Sequence, residues 1–238
     1  VNLLLLQPLS TAWTMYTPQI DYPQAHRPDP LTFEGSTQEL YAYNQTWMDI
    51  SDSLLAMHRD FHVGNETIME EYGKVEGRSL VVGSCSYQAV VVPASVNWSE
   101  STVQLLRKFA ANGGTVIAVT PVPTMVDGKW CPEVLPKETV IVSDCREKLE
   151  AALDSTVRKD IILPNCGDIL YHHREADGMS LYYIANTSQE HSYLGTDIEI
   201  PGTGALELWD AVSGEKYSLN CCPHDGMLTF KLDFYPVS

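Results

Sequence analysis

Short apolar runs alternate with helical stripes along the first two thirds of the chain. The runs have the length and composition of strands that are buried on both faces of a sheet. They span residues 2–7, 89–92, 115–119 and 139–142, with a further short strand at 61–63. The segments between them repeat apolar residues every three or four positions, as amphipathic helices do. These helices are predicted near residues 37–57, 66–72, 99–112 and 144–153.

Strands that alternate with amphipathic helices connect through right-handed crossovers into a parallel sheet with helices on both faces. We therefore predict an α/β fold, a flavodoxin-like doubly wound parallel sheet, over residues 1–157.

Residues 8–36 interrupt this alternation with five prolines. We expect an irregular segment here, because its apolar residues lack any helical or strand period. Prolines restrict the backbone and lower the entropy cost of ordering it. We predict that residues 9–36 form an interdomain contact surface. The apolar and aromatic residues of this segment are Leu9, Trp13, Met15, Tyr16, Ile20, Tyr22, Leu31 and Phe33.

The pattern changes after residue 157. Short apolar and aromatic runs follow one another without a helical period, and turn pairs such as Asp177-Gly178 and Ser213-Gly214 separate them. Regularly spaced short strands with such turns are typical of an antiparallel β-sandwich. We predict a small β-sandwich domain over residues 158–238, following the α/β domain.

The charge of the chain argues against two classes of binding partner. The formal net charge is −16, from 31 acidic and 15 basic residues. Such a surface repels the phosphates of nucleic acids and anionic membranes, so neither is expected as a partner. Glycans that carry no charge stay compatible with it.

The loops that follow the predicted parallel strands contain no cofactor motif. Pro93-Ala94-Ser95 and Thr120-Pro121 have no glycine fingerprint for a dinucleotide or flavin, so no cofactor is predicted. Cys85 stands in a partial nucleophile-elbow pattern, Gly83-Ser84-Cys85-Ser86. A working elbow joins a strand to a helix, whereas Cys85 precedes a strand. An amidotransferase-like enzyme that uses Cys85 is kept as an alternative.

Metal ligands and paired carboxylates do not form a recognisable site in the sequence. His58 and His62 flank a predicted helix-to-strand junction, and His172 and His173 point to opposite faces of one strand. The six cysteines, among them the adjacent Cys221-Cys222, are expected to be reduced thiols. We predict no metal site, and no acidic pair stands out as the catalytic carboxylates of a glycosidase.

Several stretches resemble the region that follows the catalytic barrel in large bacterial glycoside hydrolases, especially the α-L-rhamnosidases of glycoside hydrolase family 106. They are Val1–Trp13, His58–Glu66, Val75–Pro93, Leu105–Thr120, Leu181–Thr187 and Leu206–Gly214. The resemblance implies an amidotransferase-like flavodoxin fold that lacks the nucleophile. It also implies that catalytic carboxylates lie in a preceding barrel, and no residue of this chain matches them.

Together these observations predict a non-catalytic accessory region that packs against the catalytic barrel of the same parent polypeptide. The alternative from another class is a carbohydrate-binding module. Its candidate carbohydrate contacts are Trp13, Tyr16, Tyr22, Trp98 and Trp130. The compartment stays open, with an extracellular or periplasmic one favoured.

Overall fold

The computed structural model describes residues 1–16, 36–143, 146–211 and 213–238. For residues 36–38 it describes the backbone only. The chain divides into two compact units. The first contains Val1–Ser53 and Phe61–Val157, and the second contains Leu54–Asp60 and Arg158–Ser238.

Up to residue 157 the chain contains both helices and strands. In chain order they are β1 (Leu3–Leu6), α1 (Leu9–Met15), α2 (Ser36–Ala56), β2 (His62–Gly64), α3 (Glu66–Tyr72), β3 (Gly73–Glu76), β4 (Ser79–Val82), β5 (Cys85–Tyr87), β6 (Ala89–Val92), β7 (Asn97–Trp98), α4 (Glu100–Ala111), β8 (Thr115–Val119), β9 (Met125–Val126), β10 (Lys129–Trp130), β11 (Val140–Val142) and α5 (Arg146–Asp154).

A parallel sheet forms the centre of the first unit. Its strand order is β11-β8-β6-β1-β2, and each neighbouring pair is parallel. Numbered in chain order, the strands therefore lie side by side as 2-1-3-4-5. Every residue of β1 and β6 is buried. The predicted α/β fold with buried parallel strands is confirmed.

Helix α4 covers one face of this sheet, and its ends follow the predicted signals. Ser99 is the N-cap and accepts a hydrogen bond from the Thr102 N–H. Leu106 and Phe109 pack into the core with strands β1, β6 and β8. At the other end Gly113 has a φ of +84°, the left-handed conformation that lets the chain leave the helix.

One prediction for this region is wrong. The segment after β1 was expected to be irregular, but Leu9–Met15 is a helix. Its polar residues Ser10 and Thr11 are buried and bonded to distant parts of the unit. Tertiary hydrogen bonds therefore stabilise a helix that shows no apolar period. The rest of the predicted contact segment, residues 17–35, lies outside the described residues.

The second unit is built from antiparallel strands. They are β12 (Ile169–Ala176), β13 (Met179–Asn186), β14 (Tyr193–Pro201), β15 (Leu206–Trp209), β16 (Lys216–Leu219), β17 (Cys222–His224) and β18 (Met227–Phe234). They pair as β12-β13, β14-β18-β17 and β15-β16. Ile161, Ile169, Ile198 and Phe230 are part of its apolar core. The predicted short strands are confirmed.

Gly114 offers a test of how tightly α4 packs. A Cβ at this position would lie 2.0 Å from Cε2 of the buried Phe109. We expect Gly114→Ala to lower the free energy of unfolding by about 2–3 kcal/mol, because the ring has to move. Urea denaturation followed by tryptophan fluorescence measures this.

The matched control is Gly83→Asn. Gly83 has a φ of +59°, and a Cβ added there would meet no atom within 4 Å. Asn tolerates that backbone conformation. Its effect should stay within about 0.5–1 kcal/mol. Equal losses in both variants would contradict close packing at Gly114.

Candidate functional site

Ligand sites of open parallel sheets lie beyond the carboxyl ends of the strands. In this protein α1 directly follows β1 at that edge, and β7 follows β6 there. Helix α1 packs against β7. The edge is therefore lined by segments of the chain itself.

Glu66 is the most deeply buried acidic residue described at this edge, with 4% of its surface exposed. It is the first residue of α3, directly after the N-cap Asn65. Its Oε1 accepts the N–H of Ser10 at 2.9 Å, and its Oε2 accepts the N–H of Ser99 at 2.8 Å. One carboxylate thus joins the beginnings of α1, α3 and α4.

These two N–H groups need a partner. Ser10 lies in the first turn of α1, where backbone donors have no partner within the helix. Ser99 is the N-cap of α4, whose N–H is bonded in many helices by a Glu three residues later. Thr102 stands at that position here, so Glu66 does this from another helix. The sequence alone did not indicate Glu66, because a Glu after an Asn cap is an ordinary way to begin a helix.

Thr11 and Asn97 extend the buried network. The hydroxyl of Thr11 accepts the N–H groups of Val96 and Asn97, at 3.1 and 3.0 Å, and donates to the Asn97 carbonyl at 2.8 Å. The side-chain amide of Asn97 donates through Nδ2 to the Ser10 carbonyl and to Thr14 Oγ1. Helix α1 is therefore attached to β7 through both backbone and side chains.

Trp98 is removed from the carbohydrate-contact candidates. Its side chain is fully buried in the first unit. The indole N–H donates to Ser95 Oγ at 2.9 Å, and Ser95 in turn donates to the Pro93 carbonyl. A buried ring has no face to offer a sugar. The prediction is wrong because Trp98 lies in a two-residue strand of the core. The proline and serines around it in the sequence gave no sign of that strand.

Three other aromatic side chains are exposed near this edge. Trp13 and Tyr16, in and after α1, are 66% and 62% exposed, and Trp130 in β10 is 74% exposed. We call these three residues the α1 aromatic surface. The fourth candidate from the same segment, Tyr22, lies outside the described residues.

Strand pairing places Trp130 on the side of a small sheet that faces α1. Asn97 pairs with Met125, and Met125 pairs with Trp130. Paired residues extend their side chains from the same face of a sheet. Because the Asn97 side chain bonds to α1, Trp130 lies on the face that carries α1.

Cys85 does not occupy a nucleophile position of the parallel sheet. It lies half-buried in β5, a strand of the antiparallel ribbon β3-β4-β5. Burial, together with the nearby Cys85, raises the pKa of Tyr87 to about 12. The residue that follows the β6–Pro93 turn is Ala94, which is buried. The amidotransferase alternative gains no support.

Two of the histidines considered as metal ligands, His58 and His62, bond to other partners. His58 Nε2 lies 3.1 Å from the Cys166 carbonyl and 2.9 Å from the Ile169 carbonyl, so this nitrogen carries a proton and donates. His62 Nδ1 bonds to the Tyr87 hydroxyl. Among the described residues, no group of three or more His, Cys, Asp or Glu side chains could hold a metal ion.

The described cysteines Cys85, Cys131, Cys166, Cys221 and Cys222 are free thiols. In the described part of the chain, the helices are too short or too polar to cross a membrane.

Comparison with known proteins relates this chain to others by fold. No protein-family model and no curated protein sequence matches it. Among solved structures, a rhamnosidase from Novosphingobium sp. PP1Y matches with a TM-score of 0.60 and 18% identity, over 76% of this chain and 19% of that one.

Two further glycoside hydrolases match nearly the whole chain. An α-L-fucosidase isoenzyme 2 from Paenibacillus thiaminolyticus has a TM-score of 0.58 and 9% identity, over 98% of this chain and 46% of that one. A GH42 β-galactosidase catalytic mutant from G. stearothermophilus has a TM-score of 0.57 and 10% identity, over 98% and 40%. The fold is thus related to parts of glycoside hydrolases, and the chain spans less than half of each.

Substitution of Glu66 tests whether its carboxylate holds this edge together. In Glu66→Gln one acceptor oxygen becomes an NH₂ group that faces a backbone donor. Because hydrogen bonds to charged groups contribute about 1.5–3 kcal/mol each, we expect the free energy of unfolding to fall by about 2–3 kcal/mol. Urea denaturation measures it, and hydrogen exchange should show α1 opening more often.

Glu70→Gln is the control, since Glu70 lies exposed in the same helix. Its effect should stay within about 0.5 kcal/mol. If Glu66→Gln were as stable as this control, Glu66 would have no special role at the edge.

Proposed function

We propose that this chain is a non-catalytic accessory region of a bacterial, α-L-rhamnosidase-like glycoside hydrolase. In this proposal it packs against a catalytic barrel of the same polypeptide. One observation carries the proposal: at the carboxyl edge of the sheet, the side chains of Glu66, Thr11 and Asn97 bond to other parts of the same chain.

The carboxyl edge is where an active site would be expected in this class of sheet. There the Glu66 carboxylate accepts the N–H groups of Ser10 and Ser99, donors that could otherwise bind a ligand. The turn after β6 carries the buried Ala94 where an amidotransferase-like elbow needs a nucleophile. Both features favour a structural role for this edge.

The proposal includes a finer description of the fold. The strand order 2-1-3-4-5 is the flavodoxin-like order. It supports a flavodoxin-like domain over residues 1–157, and the antiparallel strands that follow support a β-sandwich over 158–238.

The α1 aromatic surface is the proposed contact with the barrel. Aromatic residues are enriched in the buried centres of protein interfaces. Trp13, Tyr16 and Trp130 are exposed in this chain, and the buried network holds α1 in place beneath the first two. The contact surface predicted over residues 9–36 is proposed to extend from here.

A direct enzymatic assay tests the non-catalytic role. The purified 238-residue chain, incubated with nitrophenyl α-L-rhamnoside, α-L-fucoside and β-galactoside, should release nitrophenol no faster than buffer does. We expect this because no pair of acidic residues in the chain stands out as the catalytic carboxylates of a glycosidase.

The comparison sample is the same chain carrying Glu66→Gln. Hydrolysis well above background that is retained through a second purification would overturn the accessory role. Loss of that hydrolysis in a Glu66→Gln sample that circular dichroism shows to be folded would then place an active site at this edge.

The second candidate function is glycan binding through the α1 aromatic surface. The observation in its favour is the exposure of three aromatic rings on one unit. If it is correct, Trp13→Ala and Trp130→Ala should each weaken binding of neutral polysaccharides in affinity gel electrophoresis by about tenfold, the effect of losing roughly 1.4 kcal/mol.

Trp209→Ala is the matched control, because Trp209 is an exposed tryptophan of the second unit. Unchanged migration of the wild-type chain in a panel of neutral plant and host polysaccharides would remove this candidate and leave the proposed barrel contact.

A further inference from the structure

The hairpin β12–β13 of the second unit has two chemically different faces. Its inner face carries Tyr171, Tyr182 and Ile184, which pack against the core of the unit. Its outer face is formed by the alternate residues, which are mostly exposed. The exposed ones are His172, Arg174, Ala176, Met179, Leu181 and Tyr183, and the half-buried Leu170 and Ala185 complete the row.

The inner face is fixed to the rest of the unit. His173 Nδ1 lies 2.7 Å from Asp160 Oδ2, and the His173 ring stacks on Tyr182 with centroids 4.1 Å apart. Burial, and next the nearby Asp160 carboxylate, raise the pKa of the Tyr182 hydroxyl. The backbone that presents the outer face is therefore held in one position.

The outer face combines an aromatic ring with one cationic group, the guanidinium of Arg174. Tyr183 is 66% exposed and pairs directly with His172 across the two strands. Arg174 pairs with Leu181, which makes it the diagonal neighbour of Tyr183, within reach of a long side chain. Among the described residues, no hydrogen-bond or ion-pair partner is found for the Arg174 guanidinium.

This face also lacks acidic residues, although the chain has 31 of them and 15 Lys and Arg. Glu175 belongs to the opposite row of β12, and Asp177 lies in the turn beyond the last pair. Arg174 therefore offers a positive charge on a face whose own row carries no carboxylate, although the net charge of the chain is −16.

The small area of the face favours a small ligand. Two strands are about 10 Å wide and the outer row about 20 Å long, so the face covers on the order of 200 Å². A standard protein interface buries about 800 Å² on each partner. A short saccharide fits these dimensions better than a protein surface does.

We propose that the outer face of β12–β13 binds an acidic saccharide, one whose sugar rings carry carboxylates. The ring of Tyr183 stacks against the C–H groups of one sugar. The guanidinium of Arg174 binds a carboxylate through two parallel hydrogen bonds. His172 and Leu181 border the same sugar. This site does not depend on the accessory role proposed above.

Three short probes test separately whether the sugar rings and the carboxylates of the ligand are recognised. The purified chain is titrated with trigalacturonate, with its methyl ester and with triglutamate, and binding is followed by calorimetry and NMR. The ester keeps the sugar rings without the charge, and the peptide keeps the charge without the rings. We expect trigalacturonate to bind at least tenfold more tightly than either of the others.

Two substitutions locate the site. Arg174→Gln and Tyr183→Ala should each weaken trigalacturonate binding at least tenfold. Both side chains are exposed, so folding should be unaffected, and circular dichroism checks this. Lys231→Gln and Tyr235→Ala, which change an exposed cation and an exposed ring elsewhere in the unit, should bind as the wild type does.

Several results would overturn the proposal. Absence of trigalacturonate binding is one, and equal binding of triglutamate is another, because it would indicate unspecific attraction to anions. Equal losses in the control variants would place binding elsewhere. Self-association of the chain that Tyr183→Ala abolishes, without saccharide binding, would make the face a protein interface. None of these results bears on the glycosidase assay that tests the accessory role.

Discussion

The carboxylate of Glu66 accepts backbone N–H groups from segments 56 residues before it and 33 residues after it. Burying a carboxylate costs several kcal/mol, and charge-assisted hydrogen bonds offset that cost only when donors stand in place. The beginnings of α1 and α4 supply these donors. Helix α1, which begins next to Pro8 without a side-chain cap, is positioned by this interaction more than by its own sequence.

Much of the first unit follows from local patterns in the sequence. The buried runs of β1 and β6 and the ends of α4 at Ser99 and Gly113 are encoded within a few residues, so they could be predicted. Helix α1 and the burial of Trp98 could not. The bonds that place α1 on β7 join residues 85 and 86 positions apart, and no local period reports such a contact.

The candidate site was only partly predictable for the same reason. Trp13, Tyr16 and Trp130 are exposed whereas Trp98 is buried, and residue type alone could not separate them. Exposure depends on which face each element turns to its neighbours. The likeness to glycoside hydrolases cannot replace this information, because one fold carries many functions and the site residues decide between them.

In each unit, polar side chains that are buried or partly buried hold an element that carries exposed aromatic residues. Glu66 and Thr11 fix α1 beneath Trp13 in the first unit. The Asp160–His173 pair fixes the hairpin beneath Tyr183 in the second. An exposed ring on a fixed backbone loses little conformational entropy when a ligand or a neighbouring domain covers it, which leaves more of the contact energy for binding. The polar bonds beneath both surfaces therefore order the backbone that carries these rings.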